Sequence, residues 1–353
     1  MWQVVGHNRA LSLLRRSLEQ GAQAHAYLFV GPPHVGKMTL AVNLAQALNC
    51  EADEPPCGEC NSCQKIASAK HADVQIIGLV SSGDSDGAKL RTEIGIDQIR
   101  YVQSSASLPP FEGRCKVFII DGAELMSNEA ANCLLKTLEE PEGRIIFVLL
   151  TADERPLPAT VISRCQRLEL PPLKTAEVEA ALDSRWSVEP KKARLLARLC
   201  HGYLGWAVSA ASEDSLLQQR AERLDKLLDV LSADNEARFA YAAQLAAQFG
   251  QNRKSVHDVL DLWIDWWRDL LLVKAGCADA ITDGDHEDML IEQAGAYSLA
   301  EIRTVIDGLQ AAGEQLRQNA NPRLVLEVFM LTIPRKEVRG EGDLTARFSV
   351  KYG

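Results

Sequence analysis

Over the first half of the chain, short continuous apolar runs alternate with stretches where apolar side chains recur at helical spacing. From Pro171 onward only the helical spacing is left. The runs are Tyr27-Leu28-Phe29-Val30, a stretch over 71–79, Lys116-Val117-Phe118-Ile119-Ile120-Asp121, Ile145 to Leu150 ending at Thr151, and a short one from Arg167 to Leu170. Between them, helical patterns are predicted over 1–26 (apolar stripe Leu11, Leu13, Leu14, Leu18, with Arg15 and Arg16 outside it), Lys37 to about Leu48, Ile96 to about Ser107, and Asn128 to Glu140. Continuous rather than alternating apolar runs mark strands buried on both faces. Strands alternating with helices predict a doubly wound α/β domain with a parallel sheet over about 1–170.

Pro171-Pro172 reads as a hinge. A helix opening near Thr175 with acids in its first turn and a second over Lys191–Cys200 predict a small helical domain, 171–212. Residues 213–338 carry longer amphipathic patterns: Leu216–Leu231, Glu236–Phe249, Val256–Ala275, Leu299–Asn319 and Arg323–Ile333. These predict an all-α third domain. Ser81 to Gly87 is small and polar and reads as a flexible loop, and 339–353 as a loose polar tail.

The stretch after the first strand carries chemistry. Gly31-Pro32-Pro33-His34-Val35-Gly36-Lys37-Met38-Thr39 has the G-x4-G-K spacing of a phosphate-binding loop, and the strand-loop-helix context is the one that motif needs. Glycines let backbone N–H groups close around an anion. The helix N-terminus adds dipole, and the lysine adds a full charge. Met38 stands where a Ser or Thr hydroxyl would ligate Mg²⁺, and Thr39 is one residue late. Asp121 ends a buried strand, where a carboxylate can hold the nucleotide's Mg²⁺ through water. The next residue, usually Glu in a hydrolysing site, is Gly122, and Glu124 cannot be assumed to replace it. Lysine and loop backbone could hold ATP or ADP with weakened Mg²⁺ retention, so binding and its loss both fit these residues.

Cys50, Cys57, Cys60 and Cys63 have C-x6-C-x2-C-x2-C spacing. Four thiolates so spaced can wrap one tetrahedral Zn²⁺. With every position filled by protein the metal would be structural, not catalytic. An iron–sulfur centre is the less favoured reading. Cys60 and Cys63 fall at the start of the next helix, expected over Gln64–Ala69.

Charge narrows the partners. Thirty-eight Lys and Arg against 48 Asp and Glu leave a net charge of −10, a poor balance for a solitary DNA binder. No apolar run reaches the ~18 residues of a membrane span, and the N-terminus lacks a secretory layout, so a cytoplasmic location is expected. Trp263, Trp266 and Trp267 share one helix. Asp258, Asp261, Asp265 and Asp269 around them favour burial over base stacking.

Taken together, these residues resemble the bacterial DNA polymerase III clamp-loader subunits, a branch of the AAA+ ATPases. Four features carry the resemblance in order: the cysteine module behind the phosphate-loop helix; Asn132-Cys133-Leu134-Leu135-Lys136-Thr137-Leu138-Glu139-Glu140-Pro141; Ser163-Arg164-Cys165; and Asn321-Pro322-Arg323-Leu324 to Glu327. The resemblance implies an AAA+ domain, a helical lid and a helical collar. It implies that Arg164 acts in trans, as a finger in a neighbouring subunit's ATP site. It also implies partners: the gamma/tau motor subunits and delta in a hetero-oligomeric ring, with the sliding clamp and primed DNA reached through the complex.

A motor subunit of that family would carry Ser or Thr at 38, Glu at 122 and an arginine in the lid, where Gly205 falls. With three such losses and the finger kept, the pattern resembles the ring's stator, with little hydrolysis of its own. Delta usually lacks the cysteine module and the Ser-Arg-Cys motif. An active gamma/tau-type motor and a different AAA+ machine, such as a junction or helicase loader, are the competing readings.

Overall fold

The computed structural model describes residues 2–79, 93–141, 143–282 and 284–334. The loop expected at Ser81–Gly87 and the tail expected over 339–353 lie outside the described residues. The chain divides into two compact units, 1–211 and 212–353.

The first unit is built on a five-stranded parallel sheet in the order β2-β3-β4-β1-β5, with β1 Ala26–Val30, β2 Val74–Ile77, β3 Lys116–Asp121, β4 Ile145–Thr151 and β5 Gln166–Glu169. All seven residues of β4 and the first five of β3 are buried, as their unbroken apolar runs require. The register pairs Val30 with Thr151 and Asp121 with Leu150, so the ends of β1, β3 and β4 meet along one edge. Ligand crevices of open α/β sheets form at that carboxyl edge. Around the sheet lie α1 Asn8–Glu19, α2 Lys37–Asn49, α3 Asn61–Ala67, α4 Ile96–Ala106, α5 Asn128–Glu139 and α6 Ala159–Ile162. Two apolar clusters cover the sheet, one containing Leu40, Leu44 and Val148, the other Leu134, Leu138 and Phe147.

The N-terminal helix is shorter than its periodicity suggests. Trp2 and Val4 are buried ahead of α1, and the backbone there is held by α2: the N–H groups of Gln3 and Val4 both donate to Asn43 Oδ1, at 2.7 and 3.2 Å. That anchor is a contact with a distant residue, which periodicity cannot report. Leu11 and Leu14 are buried as expected, but Leu13 is exposed. Three helices complete the unit: α7 Thr175–Trp186, α8 Pro190–Leu199 and α9 Leu204–Ser212.

The second unit is helical: α10 Asp214–Ser232, α11 Asn235–Gln251, α12 Arg253–Lys274, α13 Glu287–Ala296, α14 Leu299–Arg317 and α15 Pro322–Thr332. Trp263, Trp266 and Trp267 are buried within its core, where Trp267 meets Tyr297 and Trp263 meets Phe329. The periodicity gave no separate warning of α13. No helix among the described residues is long and apolar enough to cross a membrane.

Candidate functional site

Gly31 follows β1 directly, and a Cβ there would lie 2.3 Å from the Leu170 carbonyl oxygen. Only glycine lets the loop leave the sheet under that carbonyl. The loop then turns through His34 (φ 62°) and Gly36 (φ 107°) into α2. Gly36 caps α2 without a side-chain hydrogen bond, so no capping side chain covers the first-turn N–H groups.

Those groups border a cavity of about 550 Å³, lined by Pro33, His34, Val35, Gly36, Lys37, Met38 and Thr39, by Asp121, Gly122 and Glu124, and by Trp186, Leu204, Gly205 and Val208 from the helical layer. Eight of the ten residues expected to hold nucleotide thus share one cavity. Gly31 and Pro32 are not among the lining residues, and their carbonyls hold the lysine instead. Lys37 Nζ donates to the Pro32 carbonyl at 2.8 Å and to the Gly31 carbonyl. The lysine is folded back on its own loop and must release these oxygens to reach a phosphate. Burial pushes its ammonium below the usual lysine range, opposed by the charges of Glu124 and Asp121. Burial likewise pushes the Asp121 carboxyl up, against the pull of Lys37 and with that of Glu124. Met38 lines the cavity and, half-buried, also packs against the edge of an apolar cluster.

Glu124 is the residue that sequence reasoning left undecided. Gly122 sits at φ 76°, ψ 50°, and the single 3-10 turn Ala123–Leu125 follows it. That reversal brings Glu124 back to the cavity. One carboxylate oxygen accepts from the Ala152 N–H at 3.1 Å, and the other is buried without a hydrogen bond. Among the described residues lining the cavity, Asp121 and Glu124 are the carboxylates.

Gly205 is the second unforeseen contact. Its N–H donates to the His34 carbonyl at 2.8 Å, and a Cβ at this position would lie 2.9 Å from that same oxygen. The helical layer therefore rests on the loop through a residue with no side chain. Trp186 reaches the cavity too, and no motif announced it.

Arg164 lies apart from the cavity, in the turn between α6 and β5. Its guanidinium pairs with Glu139 Oε1 at 2.5 Å and donates to the Thr160 carbonyl at 3.0 Å, with the two side chains 34% and 50% exposed. Its neighbour Cys165 is packed inward, and burial pushes that thiol up to about 12.

The four cysteines converge as their spacing implies. The four sulfurs lie within 4.8 Å of one another, with Cys57 and Cys63 3.9 Å apart. Metal–sulfur bonds of ~2.3 Å in a tetrahedron place ligand sulfurs ~3.8 Å apart, so the cluster fits a zinc ion. Cys60 caps α3 and Cys63 lies in its first turn, one turn earlier than the helix start expected at Gln64. Backbone N–H groups point at three sulfurs: Cys57 N to Cys50, Cys60 N to Cys57 and Cys63 N to Cys60, at 3.3–3.4 Å. Donors from Cys60 and Glu59 lower the Cys57 thiol to about 6, whereas burial pushes Cys63 up to about 12. Four thiolates side by side repel one another, and a bound cation removes that conflict.

Known proteins place the chain. A family model described as DNA polymerase III, delta subunit, matches residues 6–174. DNA polymerase III subunit delta' of Bacillus subtilis is 30% identical over 326 residues, covering 92% of this chain and 95% of that protein. The chain belongs to the DNA polymerase III clamp-loader subunits. Subunit tau of the same organism is 28% identical over 97% of this chain, which spans 62% of tau's length. Among solved structures, a gamma subunit-related protein of Thermotoga maritima covers 93% of this chain and is itself covered over 99%, with 18% identity and a TM-score of 0.47.

Proposed function

We propose that this chain is the delta-prime-type stator of a DNA polymerase III clamp loader. In this role it completes a neighbour's ATP site with Arg164 and hydrolyses little or no ATP itself. The observation that carries the reading is at Gly205. Where a motor subunit would aim an arginine at the γ-phosphate, this chain has a glycine whose backbone is bonded to the phosphate loop. Met38, packed half-buried on an apolar cluster, and Gly122, in a left-handed turn, depart in the same direction. A guanidinium reaching a neighbour's site would stabilise charge on the transferring phosphoryl group. In this reading 171–212 is the lid, 213–338 joins the ring's collar, and the partners are gamma/tau and delta subunits, with the sliding clamp and primed DNA met through the complex in the cytoplasm. The cavity beside Lys37 would take ATP or ADP with poor Mg²⁺ retention, and Cys50, Cys57, Cys60 and Cys63 would hold one structural zinc.

A second reading, a gamma/tau-type motor, is favoured by Glu124, a cavity carboxylate able to orient water in place of the residue missing at 122. Nucleotide turnover by the isolated protein separates the two. The stator reading expects little turnover with or without Mg²⁺. Turnover of ~1 s⁻¹ or more, on the ordinary enzyme scale, would establish the motor. In the reconstituted complex, Arg164→Ala should lower the clamp- and DNA-stimulated ATPase without disrupting assembly, and an unchanged rate would sink the finger.

A further inference from the structure

We infer that Glu139 is a parking site for Arg164, holding the guanidinium against its own subunit until a neighbour's phosphate displaces it. The inference rests on the finger reading of Arg164. Three features of the geometry carry it. First, the guanidinium is already partnered in cis, by Glu139 Oε1 through one terminal nitrogen and by the Thr160 carbonyl through the other. Second, both partners sit on elements tied to the core. Glu139 ends α5, whose neighbouring Leu138 is buried in the core, and Thr160 belongs to α6, anchored by buried Val161. Third, the pair is at the surface, with both side chains substantially exposed, so water screens it and it can open at little cost.

A carboxylate and a carbonyl presented side by side offer an arginine much of what a phosphate does: anionic oxygen within reach of a planar fork. The guanidinium therefore partitions between two acceptors, one in cis and one across the interface. It must leave Glu139 before it faces the phosphate, whether ATP is in its ground state or reacting. An interaction lost equally before both states appears in KM, not in kcat. Glu139 is thus a positioning residue whose removal should make the complex saturate at lower ATP.

The test is an ATP titration of the reconstituted clamp-loader complex, with clamp and primed DNA, carrying Glu139→Gln in this subunit. The expected result is a half-saturating ATP concentration lowered about two- to fivefold, the span an exposed ion pair is worth, with kcat within about 1.5-fold. Glu139→Asp, which keeps the charge, should return it toward wild type. In an Arg164→Ala background, Glu139→Gln should change nothing. The inference is overturned if half-saturation does not move, if kcat falls with it, or if the effect persists without Arg164. Should Arg164→Ala lower the rate while Glu139→Gln is inert, parking fails and the finger stands. Should Arg164→Ala itself be silent, the finger reading fails and parking fails with it.

Discussion

The backbone N–H of Gly205 donates to the carbonyl oxygen of His34, joining the helical layer to the phosphate loop with no side chain between them. The space at this contact is closed, since a Cβ would stand 2.9 Å from the acceptor oxygen and 3.3 Å from the His34 Cα. Gly205→Arg should therefore separate the two surfaces instead of restoring a phosphate sensor. Overpacking of this kind costs ~1–3 kcal/mol. Hydrogen exchange should rise together at 33–36 and 202–208, and isolated-protein ATPase should not appear. Turnover gained without increased exchange would show that the contact is slack.

Met38 and Glu124 make separable claims on the same cavity. Met38→Thr places a hydroxyl at the Mg²⁺ position and should tighten ATP binding in Mg²⁺ relative to EDTA, by roughly tenfold for one recovered metal ligand. Its stability should drop by ~1–3 kcal/mol, because the methionine also packs on an apolar cluster. Glu124→Gln should leave ATP affinity nearly unchanged and remove whatever slow turnover the isolated chain has. Isothermal calorimetry and a sensitive phosphate-release assay measure the two separately.

Asp73 gives the first unit an acid limit. Burial alone would push its carboxyl up. The N–H groups of Phe111, Glu112 and Gly113, at 2.7–2.8 Å, and the charge of His71 outweigh that and hold it below the ordinary 3.8. A folded-state value below the unfolded one means stabilisation that is complete above the unfolded value and lost as pH falls through the folded one. Asp73→Asn should cost ~2–3 kcal/mol at pH 7, since an amide cannot accept all three bonds. The gap from wild type should close as pH drops below about 3.8, which denaturant midpoints measured across pH 3–7 would reveal. A gap that does not depend on pH would mean the carboxylate's charge is immaterial.

How much of this was legible depended on how local each feature is. The strands from Lys116 and Ile145 announced themselves, because burial on both faces leaves unbroken apolar runs. The cysteine cluster did so because its four ligands lie within fourteen residues. The cavity was legible in its loop but not in its roof, since Trp186 and Val208 arrive from helices far along the chain. The Asn43 anchor on Gln3 and Val4, the return of Lys37 onto its own loop and the pairing of Arg164 with Glu139 are side-chain choices made in three dimensions. Glu124 shows the limit well. The sequence places glycine at 122, and only the left-handed turn there brings a carboxylate back to the cavity two residues later.

Zinc should be countable. Purified, unchelated protein should contain one zinc per chain by elemental analysis. Cys57→Ser should lose it and lower the thermal midpoint, as a structural ion contributes directly to folding. Because α3 is capped by Cys60 and tied to α2 through Gln46 and the Cys63 carbonyl, the loosening should reach the back of α2. Protein that is folded and free of metal would refute the site.

In the second unit, a buried arginine ties two helix ends together. Arg238 is 2% exposed, and its guanidinium donates to the carbonyls of Val230 and Leu231 at the end of α10 and to those of Ile333 and Pro334 beyond α15. The Val230 carbonyl also accepts from the Ala233 N–H, so the Leu231 and Ile333 carbonyls are the ones that depend most on the fork. Arg238→Met keeps much of the volume but leaves the Leu231 and Ile333 carbonyls without these donors, which should cost ~1–3 kcal/mol. Arg238→Lys has one ammonium in place of the fork and should recover only part of that. Chemical denaturation of the full chain should show the loss in the transition of residues 212–334, with that of the first unit unchanged. A methionine variant as stable as wild type would mean that water reaches the stranded carbonyls and that the fork is dispensable.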